Sequence, residues 1–284
     1  MPRTCVAIRM SAVLLCVGGL ATAAAVDAGP LPLLGARDPN WTLGGKPVRL
    51  IEVPAAVPFG TGPCPGVRPG AIVNSEVGLC TLNFLFQGSD NFYYIGTAGH
   101  CILGESPTGG DVGEESWAPG TGPVALDEVG NLIGEFAYAI LQDPKDFALV
   151  RLNPGVGERA QMCHFGGPTG VNADRPSGPV VLNHYGNGIV IGSALPARSA
   201  VAFGMPDPDH VFAVGAALPG DSGSGVISAD GRAVGVLVTV GAHLGSLGIG
   251  GLDLGIVGIT RLAPQVERAE FFLGDLTLQP APAL

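Results

Sequence analysis

Leu218-Pro219-Gly220-Asp221-Ser222-Gly223-Ser224-Gly225 is the stretch from which the rest of the chain can be read. A serine stands between glycines, an aspartate precedes it, and a strand-like run from Val226 to Ser228 follows. Glycine at 220, 223 and 225 lets the backbone turn tightly and approach a ligand closely. A serine on such a turn can hold its hydroxyl in a cleft beside backbone N–H groups of its own loop, which is what a nucleophile with oxyanion donors needs. Taken alone, Gly-Asp-Ser-Gly is also ordinary turn chemistry in a chain with 46 glycines. The stretch acquires meaning only if the chain supplies partners.

The chain has 284 residues, 46% of them hydrophobic and 13% charged. That is apolar material for one large domain or two small ones. Forty-six glycines and 25 prolines favour short strands and turns over long helices. A formal charge of −10, with no basic run, argues against nucleic acid or an anionic membrane surface as partner. No Cys-x-x-Cys and no zinc-finger histidine spacing occurs, so a structural zinc site is not expected, and no metal or cofactor is assigned from the sequence.

Residues 1–25 read as a signal peptide. Arg3 and Arg9 give a positive start, Met10 to Leu20 form an apolar core, and Ala21-Thr22-Ala23 and Ala23-Ala24-Ala25 are small-residue cleavage sites. The apolar run falls short of the ~20 residues a membrane span needs, and Asp27 follows it. The mature protein is therefore expected outside the cell, with no membrane partner once the signal is cleaved. Cleavage removes Cys5 and Cys16 and leaves Cys64, Cys80, Cys101 and Cys163. Four cysteines in an exported chain suggest two disulfides, with three pairings open.

Residues 26–70, rich in proline and glycine, read as an N-terminal arm or short propeptide. Strands are expected at Cys80–Phe86 and Phe92–Thr97, paired as a hairpin, then at Val124–Asp127, Leu132–Ile140 and Phe147–Leu152. In the second half, Val180–Tyr185 leads to Asn187-Gly188, a hairpin signal before Ile189–Ile191. Further strands follow at Ala200–Phe203, Val211–Val214, Gly225–Ser228, Val234–Val240 and Leu254–Thr260. Only Pro264–Leu273 looks helical. The expected architecture is all-β: a first barrel over 71–160, and over 161–284 a second barrel with a C-terminal helix and tail. A site between barrels would draw residues from both.

Two further segments complete a constellation with Ser222. His100 lies in Thr97-Ala98-Gly99-His100-Cys101, and Asp146 heads the apolar run Phe147–Leu152. With Gly-Asp-Ser-Gly-Ser-Gly, and in the chain order His, Asp, Ser, they resemble the triad segments of chymotrypsin-like (trypsin-like) serine proteases, most closely the bacterial secreted branch. The resemblance covers roughly Gly70 to Leu273 and implies two six-stranded antiparallel barrels. It implies Ser222 as nucleophile, His100 as general base and acid, Asp146 as its orienting carboxylate, and the N–H groups of Gly220 and Ser222 as oxyanion hole. It pairs Cys80 with Cys101, and Cys64–Cys163 is then the second disulfide. Asp221 would be buried and need a cation, for which Arg175 and Arg198 are the candidates; no cleavage before Ile72 is required.

The floor of the specificity pocket aligns with Ala216, and Ala217 follows it. With no acid there, an apolar side chain on the acyl side of the cut is expected; His243 offers an acidic preference instead. Two departures from the family pattern stand out. Ser224-Gly225 replaces the usual Gly-Pro, and Leu237-Val238-Thr239-Val240-Gly241 stands where the family has Ser-Trp-Gly. The expectation is a secreted, monomeric serine endopeptidase acting on protein or peptide substrates. The alternatives are a catalytically silent binding protein on the same fold and an esterase-like hydrolase. Intact mass of the exported protein checks the leader: a chain beginning just after Ala23 or Ala25, or further on if residues 26–70 are removed as a propeptide, is expected, and one retaining residues 1–25 would refute the assignment.

Overall fold

The computed structural model describes residues 42–43, 46–47, 64–104, 111–173, 179–188, 195–202, 208–241 and 253–284. The leader, most of the arm, Arg175, Phe203, Ile189–Ile191 and His243 lie outside the described residues. Two short strands, β1 (Thr42–Leu43) and β2 (Lys46–Pro47), pair with each other in an N-terminal unit that ends at Glu52.

From Val53 onward the chain forms the second unit, which holds everything that follows. Its first half contains β3 (Ile72–Asn74), β4 (Leu79–Thr81), β5 (Leu85–Gly88), β6 (Tyr93–Thr97), the single turn α1 (His100–Leu103), β7 (Gly113–Ser116), β8 (Val124–Leu126), β9 (Leu132–Gln142) and β10 (Lys145–Leu152). They form an antiparallel nine-stranded sheet in the order β17-β5-β6-β10-β9-β8-β3-β4, with β7 added on β9 and β17 (Leu276–Leu278) coming from the C-terminus. β9 and β10 are its centre. Phe136, Tyr138, Ile140, Phe147 and Leu149 are all buried there. Apolar residues run almost unbroken along β9 because both of its faces are covered.

The second half contains β11 (Val180–Tyr185), β12 (Ala197–Ala202), β13 (His210–Ala217), β14 (Gly225–Ser228), β15 (Ala233–Gly241) and β16 (Asp253–Arg261). These close as a six-stranded barrel, β11-β12-β13-β16-β15-β14, sealed where β14 pairs with β11. Alternation fills it: Val211 and Ala213 point inward while Phe212 and Val214 point out. Closure leaves no unpaired edge.

The expected pair of six-stranded barrels is thus one closed barrel and one half-barrel. The first half departs from the expected strands at Leu82–Phe84. The expected strand Cys80–Phe86 bends there into β4 and β5. Leu82 N–H bonds Ala71 on one side, and Asn83 N–H bonds the Gly96 carbonyl on the other. The hairpin turn expected at Asn187-Gly188 is not the turn between β11 and β12. Those strands pair from Tyr185 with Ala197, and Gly188 N–H is used instead by the Asp221 carboxylate.

The expected helix is α2 (Leu262–Leu273), with Pro264 in its first turn, where a missing N–H costs nothing. After it the tail returns to the first half, where β17 pairs with β5. Both disulfides form as the resemblance implied, Cys80–Cys101 and Cys64–Cys163, the latter spanning 99 residues.

The turn into α1 lies directly on β9. A methyl group on Gly99 would come within 2.0 Å of the Ile140 carbonyl oxygen, a backbone atom that cannot swing aside. Gly99→Ala is expected to lower the unfolding free energy by about 1–3 kcal/mol or more, measured by urea titration. An unchanged midpoint would contradict this packing.

Candidate active site

Two neighbouring strands and a turn bring the first two residues together. β6 ends at Thr97, and the tight Ala98–Gly99 step starts α1 at His100. Asp146 is the second residue of β10, just past the Asp143–Lys145 turn from β9. Because Gly99 rests against Ile140, His100 approaches Asp146 closely enough for two bonds. The backbone N–H of His100 donates to Oδ1 at 3.0 Å, and Nδ1 lies 2.7 Å from Oδ2. Both side chains are largely shielded, at 14% and 12% exposure. A carboxylate only accepts, so the Nδ1 proton is directed at Asp146 and Nε2 is left as the basic nitrogen.

Ser222 comes from the other half, on the loop between β13 and β14. The loop packs against the approach to His100: a methyl group on Gly223 would meet Thr81 O and Thr97 Oγ1 at 2.3 Å and Ala98 N at 3.0 Å. Gly223 also has φ +89°, which favours glycine. Thr81 N–H holds the Ser222 carbonyl at 2.8 Å. The structure therefore joins His100 and Asp146 directly and sets the Ser222 loop against the residues just before His100. Among the described residues the Ser222 hydroxyl itself forms no hydrogen bond. Catalytic hydrogen bonds are often loose before substrate arrives.

Gly220 has φ +100°, and neither its N–H nor that of Ser222 donates to an acceptor among the described residues. The loop's other amides are used: Asp221 N–H bonds Leu218 O, Gly223 N–H bonds Leu237 O and Ser224 N–H bonds Asp221 O. Two donors of one loop, flanking Asp221, are thus left for a ligand, the pattern required of an oxyanion hole.

Of the two cations considered for Asp221, Arg198 is the partner, 2.5 Å away and contributed by β12. The carboxylate is fully buried and also accepts from Gly188 and Leu218 N–H at 2.7 Å each. Burial pushes this carboxyl upward, and Arg198 with the two amides pulls against it.

Ala216 and Ala217 end β13 immediately before the loop, with Ala217 fully buried. Beside them is His184 of β11, which the sequence reading passed over. Burial, then the nearby Arg198 charge, push its pKa down to about 3, with the Ala216 backbone pulling weakly against them. It is a neutral wall of the second barrel. Its inward parity with Leu182 was the available signal. One grouping with ligand-like spacing joins His100 to Cys80 and Cys101, but the disulfide uses both sulfurs.

No protein-family model matches the sequence, and no curated protein does. Solved structures do match. A chymotrypsin from Cellulomonas bogoriensis aligns with a TM-score of 0.50 at 18% identity, over 75% of this chain and 98% of that one. Thermobifida fusca Protease A gives 0.46 at 14% identity over 75% and 97%, and a Nocardiopsis protease 0.46 at 17% over 75% and 98%. The fold is chymotrypsin-like.

Removing the cation from Asp221 leaves a buried carboxylate with only amide partners. Arg198→Met is expected to cost about 3–5 kcal/mol of stability at neutral pH. Without the cation the folded-state pKa rises well above the unfolded one. The deficit should therefore be smallest in acid, where Asp221 is protonated in both states, and should grow as pH climbs through the folded pKa. Urea titrations from pH 4 to 8 check this; a pH-independent deficit would contradict the pairing.

Proposed function

We propose that this chain is a secreted serine endopeptidase with a preference for an apolar residue on the acyl side of the cut. The observation that carries the reading is the pairing of an Asp146-held imidazole with a serine loop that keeps two N–H groups, those of Gly220 and Ser222, unspent. Each part alone has a structural use, whereas together they supply base, nucleophile and charge stabilisation.

In this reading Ser222 Oγ bonds to the carbonyl carbon of the substrate while its proton passes to His100 Nε2. The carbonyl π electrons move onto oxygen, and the resulting oxyanion is received by Gly220 and Ser222 N–H. Asp146 stabilises the imidazolium through Nδ1. Collapse breaks the C–N bond as His100 gives its proton to the departing amine, leaving an acyl-enzyme. Water, deprotonated by the same imidazole, then releases the acid and restores Ser222. No metal or cofactor takes part.

The apolar preference is supported by Ala216 and Ala217, which offer neither charge nor bulk. His184, buried and neutral at physiological pH, adds no charge of its own. Export is supported by the leader and by two disulfides, which persist in oxidising compartments. The mature protein acts as a monomer on protein or peptide substrates.

The test is labelling with a sulfonyl fluoride followed by peptide mapping. Ser222 is expected to carry the label, and Ser222→Ala to lower amide hydrolysis by at least about 10⁴-fold. An unlabelled folded protein with no turnover would instead support a silent binding protein. Turnover of esters but not peptide amides would support the esterase-like hydrolase. A peptide library varied on the acyl side is expected to favour apolar residues; dominant cleavage after Lys or Arg would refute the pocket assignment.

A further inference from the structure

Four successive carbonyls of the serine loop are each held from behind. Thr81 Oγ1 donates to Gly220 O at 2.8 Å. Ser224 Oγ donates to Asp221 O at 2.6 Å, beside the Ser224 N–H at 2.9 Å. Thr81 N–H takes Ser222 O at 2.8 Å, and Asn83 Nδ2 takes Gly223 O at 3.1 Å. Thr81, Asn83 and Ser224 are all fully buried. The proton on the Thr81 hydroxyl has a fixed direction, because that oxygen also accepts from Asn187 N–H at 3.2 Å.

The consequence follows from the planarity of the peptide group, whose N–H and C=O point in opposite directions. The N–H of Ser222 shares a peptide with the carbonyl of Asp221. Drawing that carbonyl onto Ser224 therefore aims the N–H the other way, toward the cleft. The carbonyl of Gly220 shares a peptide with Asp221 N–H, itself bonded to Leu218 O, so this unit is tied at both ends. Gly220 is the one position in the loop's first turn free to rotate either way, at φ +100°. Thr81 removes that freedom.

We propose that Ser224 and Thr81 are positioning residues of the active site: the Ser224 hydroxyl locks the Asp221–Ser222 peptide, which carries one oxyanion donor, and the Thr81 hydroxyl locks the Gly220–Asp221 peptide, which lies between the two donor-bearing planes. The proposal rests on the peptidase reading and deepens it. Ser224 is a place where the sequence departs from the family pattern. The departure supplies a hydroxyl that reaches back over one turn to the peptide carrying the Ser222 N–H. Thr81 couples the same loop to the other half of the molecule, so the donors are set by contacts from both sides of the cleft.

The experiment uses the mature protein with Ser224→Ala, Thr81→Val and Thr81→Ser, assayed on a chromogenic peptide amide and with a peptide boronic acid. The boronate bonds to Ser222 Oγ and presents a tetrahedral oxygen to the oxyanion donors, whereas ground-state binding of the amide does not. Ser224→Ala and Thr81→Val are each expected to lower kcat by about tenfold or more, a part of the 10²–10³ lost with a whole donor, and to weaken the boronate by a similar factor. KM should stay within about twofold, and Thr81→Ser, which keeps the hydroxyl, should recover wild-type kcat to within about threefold. Unchanged kcat and boronate affinity in Ser224→Ala, with normal wild-type turnover, would overturn the positioning role alone. A wild type that neither turns over nor binds the boronate would overturn the peptidase reading with it. If Thr81→Val does not fold, Ser224→Ala decides the outcome.

Discussion

A single carboxylate organises the functional half of this molecule. Asp221 has no exposure to solvent and receives three groups from three directions: the Arg198 guanidinium, Gly188 N–H and Leu218 N–H. Removing a charge from water is costly unless partners surround it, so those groups are obliged to converge. Arg198 brings β12 and Gly188 brings the connection after β11. Leu218 brings the end of β13, so the loop carrying Ser222 has one way to close. The two unspent amides, the position of Ser222 and the contact with Thr97–Ala98 all follow from that closure.

The other half contributes a different kind of constraint. His100 and Asp146 meet because β9 and β10 form the apolar centre of the first sheet and Gly99 has no side chain to hold the turn away from Ile140. The Cys80–Cys101 disulfide ties that turn to β4, and β4 in turn presents Thr81 to the serine loop. The geometry of the candidate site is the by-product of two packed interiors touching at one seam.

Much of this was legible in the chain. The three triad segments stand in sequence as short runs whose chemistry is local: a histidine after a strand, an aspartate heading an apolar run, a serine between glycines. Period-two patterning gave most of the strands, and the resemblance gave both disulfides and the short set of cations for Asp221. What escaped were long-range choices. The bend at Leu82–Phe84 is invisible in a continuous apolar run, because it is fixed by hydrogen bonds to Ala71 and Gly96. Asn187-Gly188 carries a hairpin signature, yet Gly188 is claimed by a carboxylate 33 residues away. His184, Thr81 and Asn83 look like ordinary strand residues until their partners are known.

The return of β17 to β5 has a consequence for biogenesis. The first sheet begins near Ile72 but takes its outermost strand from Leu276–Leu278, on the far side of the whole second half. During synthesis, therefore, the first half must wait with that flank open until Leu276–Leu278 has emerged. Assembly of the two lobes is thus finished as one event, late, rather than lobe by lobe along the nascent polypeptide.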